Sequence, residues 1–326
     1  MAEVYFFTET KKLLSALDLL GIDDFRGERV PIKLHMGEPG NRYYISPAIV
    51  KLVVGRLKEA WAEPFLFDTT VTYPGLRSTR EGHKEVAYKH GFGEDEIGCK
   101  VVIGEEGVKV IEGGHRFEVA KEIYESSHLI VISHVKGHIS AGFGGAIKNL
   151  GMGGVTKWTK QRIHHMSHPK HSEGECDLCG SCAEVCHYHA ITVDEVWRYN
   201  SAACYGCNKC VSACPNGALS YGVMDLHKGL ALAAKACLQG KRALYVNALV
   251  NITRSCDCES NPGPIICPDI GYLASNELAA IDRASLEIID KVKPGVFEKV
   301  NLVDPSKQVH YAQEIGLVSS YRLRKL

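Results

Sequence analysis

No stretch of the sequence approaches the roughly 18 consecutive apolar residues that a membrane-spanning helix requires, so a membrane protein is not expected. Net charge is lacking too, because 38 Lys and Arg residues balance 38 Asp and Glu residues. A neutral chain has no general attraction for nucleic acid or for an anionic membrane. The first residues include an acid and no cationic stretch leading into a long apolar run, so no export signal is visible. These absences favour a soluble cytoplasmic protein without a nucleic-acid or membrane partner.

Cysteine, by contrast, is abundant, with 13 among the 326 residues. Eight of the 13 fall in two short runs with the spacing of metal ligands. In a chain without an export signal, such runs indicate a reducing compartment and metal binding rather than disulfides. The length is about twice the ~150 residues of an average domain, which suggests two domains or one large domain with an insertion.

Strand and helix patterns alternate through most of the chain, which predicts an α/β fold with a mostly parallel sheet. The strand-like runs are Val30–Met36, Pro64–Asp68, Lys100–Ile103, His128–Ser133, Ala243–Ile252 and Ile265–Ala274. Helical spacing marks Lys11–Leu20, the segment after Ser46, Phe117–Ser126, Leu226–Leu238 and Glu277–Lys291. The pattern stops after Gly154 and resumes beyond the cysteines. We therefore expect a discontinuous α/β domain, residues 1–171 and 225–326, with an inserted α+β ferredoxin-like module at residues 172–224.

The two cysteine runs share one spacing, Cys-x2-Cys-x2-Cys-x3-Cys, and the second run ends in Cys-Pro. In bacterial two-cluster ferredoxins, the fourth cysteine of each run reaches the cluster held by the other run. That crossed pattern predicts one 4Fe-4S cluster on Cys176, Cys179, Cys182 and Cys214, and a second on Cys204, Cys207, Cys210 and Cys186. The alternative is a pair of zinc knuckles. Zinc sites of that kind do not explain eight ligands in two identical runs of four.

Polar residues collect where the predicted strands end, and ligands of open α/β sheets bind beyond the carboxyl ends of the strands. The candidate catalytic residues are Lys148, His134, His138 and Asp68. The segment 141–149 is rich in glycine and could bring backbone amides close to an anion, although it matches neither G-x-G-x-x-G nor the P-loop. The candidate anion-binding residues are Gly142, Gly144, Gly145, Lys148, Asn41 and Arg77. The alternative is a loop that simply packs against a neighbouring element.

Two further groups of potential ligands lie outside these motifs. The histidines of residues 164–171 stand beside Pro169 and lysines, and we interpret them as a flexible linker into the cysteine module rather than a metal site. Cys256, Cys258 and Cys267 could bind a third metal or form a redox pair, and free thiols in a reducing cell are the alternative.

His134 and His138 could share a metal only if their segment were helical.

The chain resembles domain-of-unknown-function family 362 over nearly its whole length. The resemblance rests on residues 32–41, on Phe67-Asp68-Thr69-Thr70 with the nearby residues 73–77, on His134–Gly151, and on Pro268-Asp269-Ile270-Gly271. It implies an α/β domain with an inserted two-cluster ferredoxin module, and it implies no particular reaction. The short stretch His138–Lys148 is also similar to the glycine-rich loop of lactate racemase-type proteins, which bind a nickel-pincer nucleotide, and this favours an anionic cofactor or substrate there.

Three functions are compatible with these features. The first is an iron-sulfur oxidoreductase whose two 4Fe-4S clusters exchange electrons between a redox partner protein and a small anionic substrate near Lys148. The second is an electron carrier whose α/β domain only docks its partners. The third is a non-catalytic protein that delivers clusters or metal through Cys256, Cys258 and Cys267.

Overall fold

The computed structural model describes residues 1–326, and its first half alternates strands with helices, as predicted. The elements of this half are β1 (Ala2–Phe7), α1 (Lys12–Leu19), β2 (Arg29–Leu34), α2 (Pro47–Glu59), β3 (Glu63–Thr69), α3 (Arg80–Ala87), α4 (Glu94–Ile97), β4 (Val101–Gly104), β5 (Gly107–Glu112), β6 (His115–Ala120), α5 (Lys121–Tyr124), β7 (His128–His134), β8 (Lys136–His138), β9 (Gly142–Gly144), α6 (Ala146–Gly153) and α7 (Lys157–Met166).

Short elements occupy the cysteine-rich segment, and longer ones return after it. They are β10 (Lys170–His171), α8 (Ser181–Glu184), β11 (Ile191–Val193), β12 (Trp197–Tyr199), α9 (Lys209–Ala213), β13 (Leu219–Ser220), α10 (Leu226–Cys237), β14 (Arg242–Leu249), β15 (Ile252–Thr253), β16 (Ile265–Cys267), β17 (Gly271–Ser275), α11 (Leu278–Val292), α12 (Val296–Asn301), α13 (Lys307–Glu314) and β18 (Tyr321–Lys325).

The centre of the fold is an eight-stranded sheet in the order β18-β1-β17-β14-β7-β2-β3-β4. Its strands pair in parallel except where β17 pairs antiparallel with β1 and β14. The predicted α/β class with a mostly parallel sheet is therefore confirmed. Because β2, β3 and β7 run in the same direction, their carboxyl ends lie together at one edge, where the candidate residues follow them.

Both faces of the sheet are buried at β2, β3, β7 and β14, which explains why these strands are mostly apolar. In β7, Leu129 and Val131 pack into a core of 45 residues with α6, α10 and α11, whereas Ile130 and Ile132 pack into a core of 31 residues with α1 and α2. Because successive side chains of a strand point to opposite faces of the sheet, β7 contributes residues to both cores. No helix of the protein has both the length and the apolar character needed to cross a membrane.

Residues 170–220 have a small apolar cluster of their own, formed by Cys182, Ile191, Cys210 and Leu219. The segment begins and ends at one place, because β10 pairs antiparallel with β13 and Lys170 lies opposite Ser220. Such adjacent ends are what an insertion into another domain requires, since the host chain continues from nearly the point where it left.

Three local predictions are wrong. Ile265–Ala274 was expected to be one strand, but it forms β16 and β17, which belong to different sheets. Phe117–Ser126 was expected to be helical, but Phe117 and Val119 lie in β6, which pairs with β5 across the turn at Gly113 and Gly114, and only Lys121–Tyr124 is helical. The histidine tract, residues 164–171, was expected to be a linker, but its first three residues end α7 and its last two form β10. Buried Ile163 and Met166 anchor that helix to the core, so local composition gave way to tertiary packing.

Candidate functional site

A cavity of about 320 Å³ lies at the carboxyl ends of β2 and β3. Its wall includes four cationic side chains, Lys33, Arg77, Lys148 and Lys160, and two acidic ones, Asp68 and Glu259. β2 and β3 supply Lys33 and Asp68, while α6 and α7 supply Lys148 and Lys160. The excess of positive charge in a concave, partly apolar site favours a small anionic ligand.

Asp68 is the buried carboxylate that organises the cations. Its Oδ1 lies 3.1 Å from Lys33 Nζ, and its Oδ2 lies 3.4 Å from Arg77 Nη2 and 3.6 Å from His83 Nε2. Burial alone would raise the pKa of Asp68, but Lys33, His83 and Arg77 outweigh it and hold that pKa at about 2. Asp68 is therefore a fixed negative charge rather than a proton donor near neutral pH.

Arg77 is held in place on every side. Its guanidinium donates to Glu38 Oε2 at 2.8 Å, to the Tyr73 hydroxyl at 3.0 Å and to His83 Nε2 at 3.1 Å. The side chain is almost fully buried, at 2% exposure. A cation fixed in this way provides a rigid positive wall, whereas a flexible surface arginine would have to be ordered when a ligand binds.

Lys148 and Lys160 differ in how their ammonium groups are engaged. Lys160 Nζ donates to Thr69 Oγ1 at 2.7 Å and to the Thr70 carbonyl at 2.6 Å. Lys148 has no hydrogen-bond or ion-pair partner within the chain. Burial, with Lys33 and Arg77 nearby, lowers the pKa of Lys148 to about 8. Burial also lowers the pKa of Lys160 to about 7, against the opposing attraction of Asp68. Lys148 is thus the cation of the wall that is free to meet a ligand.

Three histidines of the wall are held in defined tautomers by backbone hydrogen bonds. His35 Nδ1 accepts from the Gly37 amide, and His138 Nδ1 accepts from the amides of Ser140 and Ala141. Burial lowers the pKa of both rings well below the usual value, so each is neutral with its proton on Nε2. His164 has the opposite tautomer. Its Nδ1–H donates to the Tyr205 carbonyl at 2.9 Å, so Nε2 of the neutral ring can only accept. The wall therefore offers both donors and an acceptor.

The eight cysteines of the two runs lie around two separate small cavities. One is lined by Cys176, Cys179, Cys182 and Cys214, and the other by Cys186, Cys204, Cys207 and Cys210. These are the two sets that the crossed pattern predicts from the sequence.

The two runs also share a backbone conformation. Leu178 and Gly206, at the third position of each run, have φ values of 58° and 65°, and Gly180 and Asn208, at the fifth position, have φ values of 80° and 57°. Left-handed residues turn the chain tightly, so that successive cysteines face one centre. Two cysteine sulfurs accept amide hydrogen bonds, Cys186 from Ala190 at 3.2 Å and Cys204 from Gly206 at 3.3 Å.

Two tyrosines separate the large cavity from the second cysteine cavity. Tyr188 and Tyr205 line both cavities, and their ring centroids are 4.5 Å apart. The Tyr188 hydroxyl shares a hydrogen bond of 2.6 Å with the Ser140 hydroxyl. The four thiols and the cationic cavity are therefore separated by a shared layer of side chains.

The C-terminal cysteines divide into a pair and a single residue. Cys256 and Cys258 are bridged, and Cys258 lines the large cavity. Their sulfurs and a ring nitrogen of His138 lie within 4.8 Å of one another, which is close enough to hold a metal ion. Cys267 lies buried in β16 and is not part of this group.

Several residues predicted for the site have other surroundings. Both ring nitrogens of His134 face acceptors, Asp257 Oδ2 at 3.2 Å and the Val250 carbonyl at 2.6 Å, so His134 and His138 do not converge. Asn41 binds the Glu259 carbonyl through its side-chain amide. Neither His134 nor Asn41 lines the cavity.

The glycine-rich segment packs against its neighbours, which is the alternative weighed above. A Cβ atom on Gly142 would lie 2.8 Å from the Val303 carbonyl, and one on Gly145 would lie 2.4 Å from Asp282. Asp282 accepts the amides of Ala146 and Ile147 at 2.7 and 2.8 Å, so the first amides of α6 are already bonded to a carboxylate. Gly142, Gly144 and Gly145 do not line the cavity, whereas Lys148, one turn further, does.

Sequence reasoning missed Lys33, Lys160 and the two tyrosines as parts of the wall. Lys33 could have been found from the sequence, because it stands inside an apolar strand-like run, and a lysine buried in such a strand needs a partner for its charge. Lys160, Tyr188 and Tyr205 gave none, because they reach the cavity only through the packing of α7 and the cysteine segment against the sheet edge.

Comparison with known proteins gives a family and weak structural likenesses. No curated protein matches the chain. The lactate racemase apoprotein from Thermoanaerobacterium thermosaccharolyticum is similar at a TM-score of 0.47 and 13% identity, over 90% of this chain and 58% of that one. A protein from Thermotoga maritima is similar at a TM-score of 0.41 and 12% identity, over 94% of this chain and 58% of that one. The chain thus spans less than two thirds of either protein, and likenesses this weak say nothing about activity. Residues 30–287 match the family described as Domain of unknown function (DUF362), and the chain belongs to that family.

Proposed function

We propose that the chain is an iron-sulfur protein that binds two 4Fe-4S clusters in an inserted ferredoxin-like module and exchanges electrons with a small anionic ligand in the cationic cavity. One observation carries the proposal. Two sets of four cysteines surround two separate cavities, and the second of these shares Tyr188 and Tyr205 with the large cavity.

The residues present fit two such clusters. A cubane cluster takes four thiolates, and each small cavity has four. None of the eight thiols is bridged, and amide donors reach the sulfurs of Cys186 and Cys204, as is usual around cluster ligands. Cys176, Cys179, Cys182 and Cys214 would hold one cluster, and Cys186, Cys204, Cys207 and Cys210 the other. Bound there, the clusters would supply one-electron redox chemistry.

The module boundaries belong to the same proposal. Residues 172–224 are the proposed insert; a separate apolar cluster within them supports this, as does the pairing of β13 with β10, which ends directly before residue 172. The α/β domain then comprises residues 1–171 and 225–326.

The ligand is anionic because the wall has four cations and two acids. Asp68 neutralises Lys33 and part of Arg77, and Lys160 is engaged with the Thr69 hydroxyl, so Lys148 is the principal contact for an anion. The Nε2–H groups of His35 and His138 can donate to oxygens of the same ligand. The chain's own residues thus bind and orient an oxyanion beside the shared tyrosine layer.

Sulfate binding to the full-length protein tests the cavity, because sulfate keeps its charge across the working pH range. We expect Lys148→Ala to weaken sulfate binding, measured by isothermal titration calorimetry, about tenfold or more, since a hydrogen bond to a charged group contributes roughly 1.5–3 kcal/mol. Lys51→Ala, on an exposed position of α2, is the matched control and should change nothing. Equal sulfate affinity in Lys148→Ala and the parent protein would exclude the cavity as the anion site and leave the carrier function.

A further inference from the structure

Cys256 and Cys258 stand apart from the other cysteines of the chain. They are bridged, whereas the remaining eleven are free. They lie in the loop between β15 and β16, and Cys258 lines the large cavity while Cys256 is 9% exposed. A bridge that spans only two positions restricts the unfolded chain very little, because the entropic stabilisation by a disulfide grows with the length of the closed loop. A purely structural role therefore explains the pair poorly.

The residue between the two cysteines fixes the loop. Asp257 is buried at 3% exposure, and its carboxylate accepts from Lys136 Nζ at 2.5 Å and from His134 Nδ1 at 3.2 Å. Its carbonyl accepts the Glu38 amide at 3.0 Å. Because these contacts hold both the side chain and the carbonyl of Asp257, we expect the two sulfurs to stay close to each other when the bridge opens, which favours reclosure over exchange with outside thiols.

The neighbours of the pair suit sulfur redox chemistry better than metal binding. The Nδ1 lone pair of His138 is occupied by two amides, so neutral His138 presents Nε2–H, which is a donor to a thiolate and not a metal ligand. Lys148 also lies near the cysteine pair. A Cβ atom on Gly144 would lie 3.4 Å from Lys148 Cδ and 4.0 Å from Cys256 Cβ.

We propose that Cys256 and Cys258 form a redox-active dithiol–disulfide pair that opens into the cationic cavity. In the reductive direction the S–S bond breaks, two electrons enter, and two protons form the two S–H bonds. In the oxidative direction the same electrons and protons leave. The electrons come from one-electron iron-sulfur donors, so this inference rests on the proposed function for its electron source. The protons come from solvent and from cavity groups such as Lys148.

Chemical labelling reads the state of the pair directly. Trypsin releases Ser255–Arg283 as one peptide that contains Cys256, Cys258 and Cys267. Denaturing alkylation with N-ethylmaleimide should add one label when the pair is bridged and three when it is reduced, so Cys267 serves as an internal reference. Across a series of oxidised-to-reduced dithiothreitol ratios, we expect one cooperative change from one label to three. A peptide that carries one label, or three, at every ratio overturns the proposal, and so does zinc that is retained by the parent protein and lost in the Cys256→Ser, Cys258→Ser variant.

A second arm tests the electron source in anaerobic full-length protein. With a photoreduced deazaflavin as one-electron donor, we expect the three-label peptide to form at least tenfold faster in the parent than in a Cys204→Ser, Cys207→Ser variant, while the dithiothreitol titration stays the same in both. Equal rates overturn the link between the pair and the clusters. Iron analysis of the same samples reports separately on the proposed function, so the two failures are distinguishable.

Discussion

At the scale of single residues, the cavity depends on one buried carboxylate and the cations around it. Asp68 compensates Lys33 and part of Arg77, which leaves the ammonium of Lys148 without a partner in the chain. Removing the carboxylate and removing the free ammonium should therefore have different consequences. The first change affects stability, and the second affects ligand binding.

Asp68→Asn should lower the free energy of unfolding by about 3–5 kcal/mol, because breaking a buried ion pair leaves a charge uncompensated. Asp18→Asn removes an exposed partner of Arg56 and should cost less than about 1 kcal/mol. Denaturant titration measures both.

Acid pH gives an independent check on Asp68. Its folded pKa of about 2 lies below the ordinary value of 3.8, so this stabilisation is present above about pH 4 and is lost as the pH falls toward 2. A parent protein and an Asp68→Asn variant of equal stability at pH 7 would contradict this account.

Sulfate binding should weaken as the pH rises from 6 to 9. Lys160 and Lys148, with pKa values of about 7 and about 8, lose their charges in this window, whereas sulfate keeps its own. Lys148→Ala should lack the part of the decline centred near pH 8. Affinity that is constant or rises over this range in the parent protein would show that these lysines are not the anion's partners.

Which residues form the wall could be predicted only in part. Asp68, Arg77, His138 and Lys148 were accessible to sequence reasoning, because they follow strands whose carboxyl ends meet at one edge. Lys160 lies in α7, which follows the point at Gly154 where the strand and helix pattern stops, and the two tyrosines lie in the cysteine-rich segment. Their positions depend on how separate parts of the chain pack, and local pattern has no information about that.

At the scale of elements, α6 connects the glycine-rich segment to the cavity. Asp282 of α11 accepts two amides at the start of α6 and also the side-chain amide of Asn247. Burial raises the pKa of Asp282 to about 6, although those three donors favour its charged form. The helix start is thus fixed from inside the protein, and one turn later Lys148 is aimed at the cavity.

Asp282→Ala should lower the free energy of unfolding by about 1–3 kcal/mol, because two buried amides lose their acceptor. Asp290→Ala is the control, since Asp290 accepts a single amide, that of Gly295, at an exposed helix end and its removal should cost no more than about 1 kcal/mol. Denaturant unfolding measures both, and equal losses would mean that the buried cap does not hold α6.

The elements that sequence patterns identified best were the central strands. β2, β3, β7 and β14 are continuous apolar runs because both faces of the sheet are covered. The edge strand β18 is mostly charged, as Tyr-Arg-Leu-Arg-Lys, and an edge strand of that kind has no apolar run to reveal it. β6 was mistaken for a helix because its strand character depends on pairing with β5.

At the scale of the whole molecule, the chain brings two groups of features together. An open α/β sheet presents a cationic cavity at its strand ends, and the cysteine segment returns to lie against that cavity through Tyr188 and Tyr205. The grouping of the eight cysteines was predictable, because in bacterial two-cluster ferredoxins the fourth cysteine of each run joins the three cysteines of the other run. The contact between the second group and the cavity was not.

Metal and sulfide analysis of anaerobically prepared full-length protein tests the central claim most directly. The account predicts eight irons and eight sulfides per chain. It predicts about four of each in both the Cys176→Ser, Cys179→Ser and the Cys204→Ser, Cys207→Ser variants, and eight in the control Cys267→Ser. Zinc in place of iron, or loss of all the iron from every variant including Cys267→Ser, would contradict it.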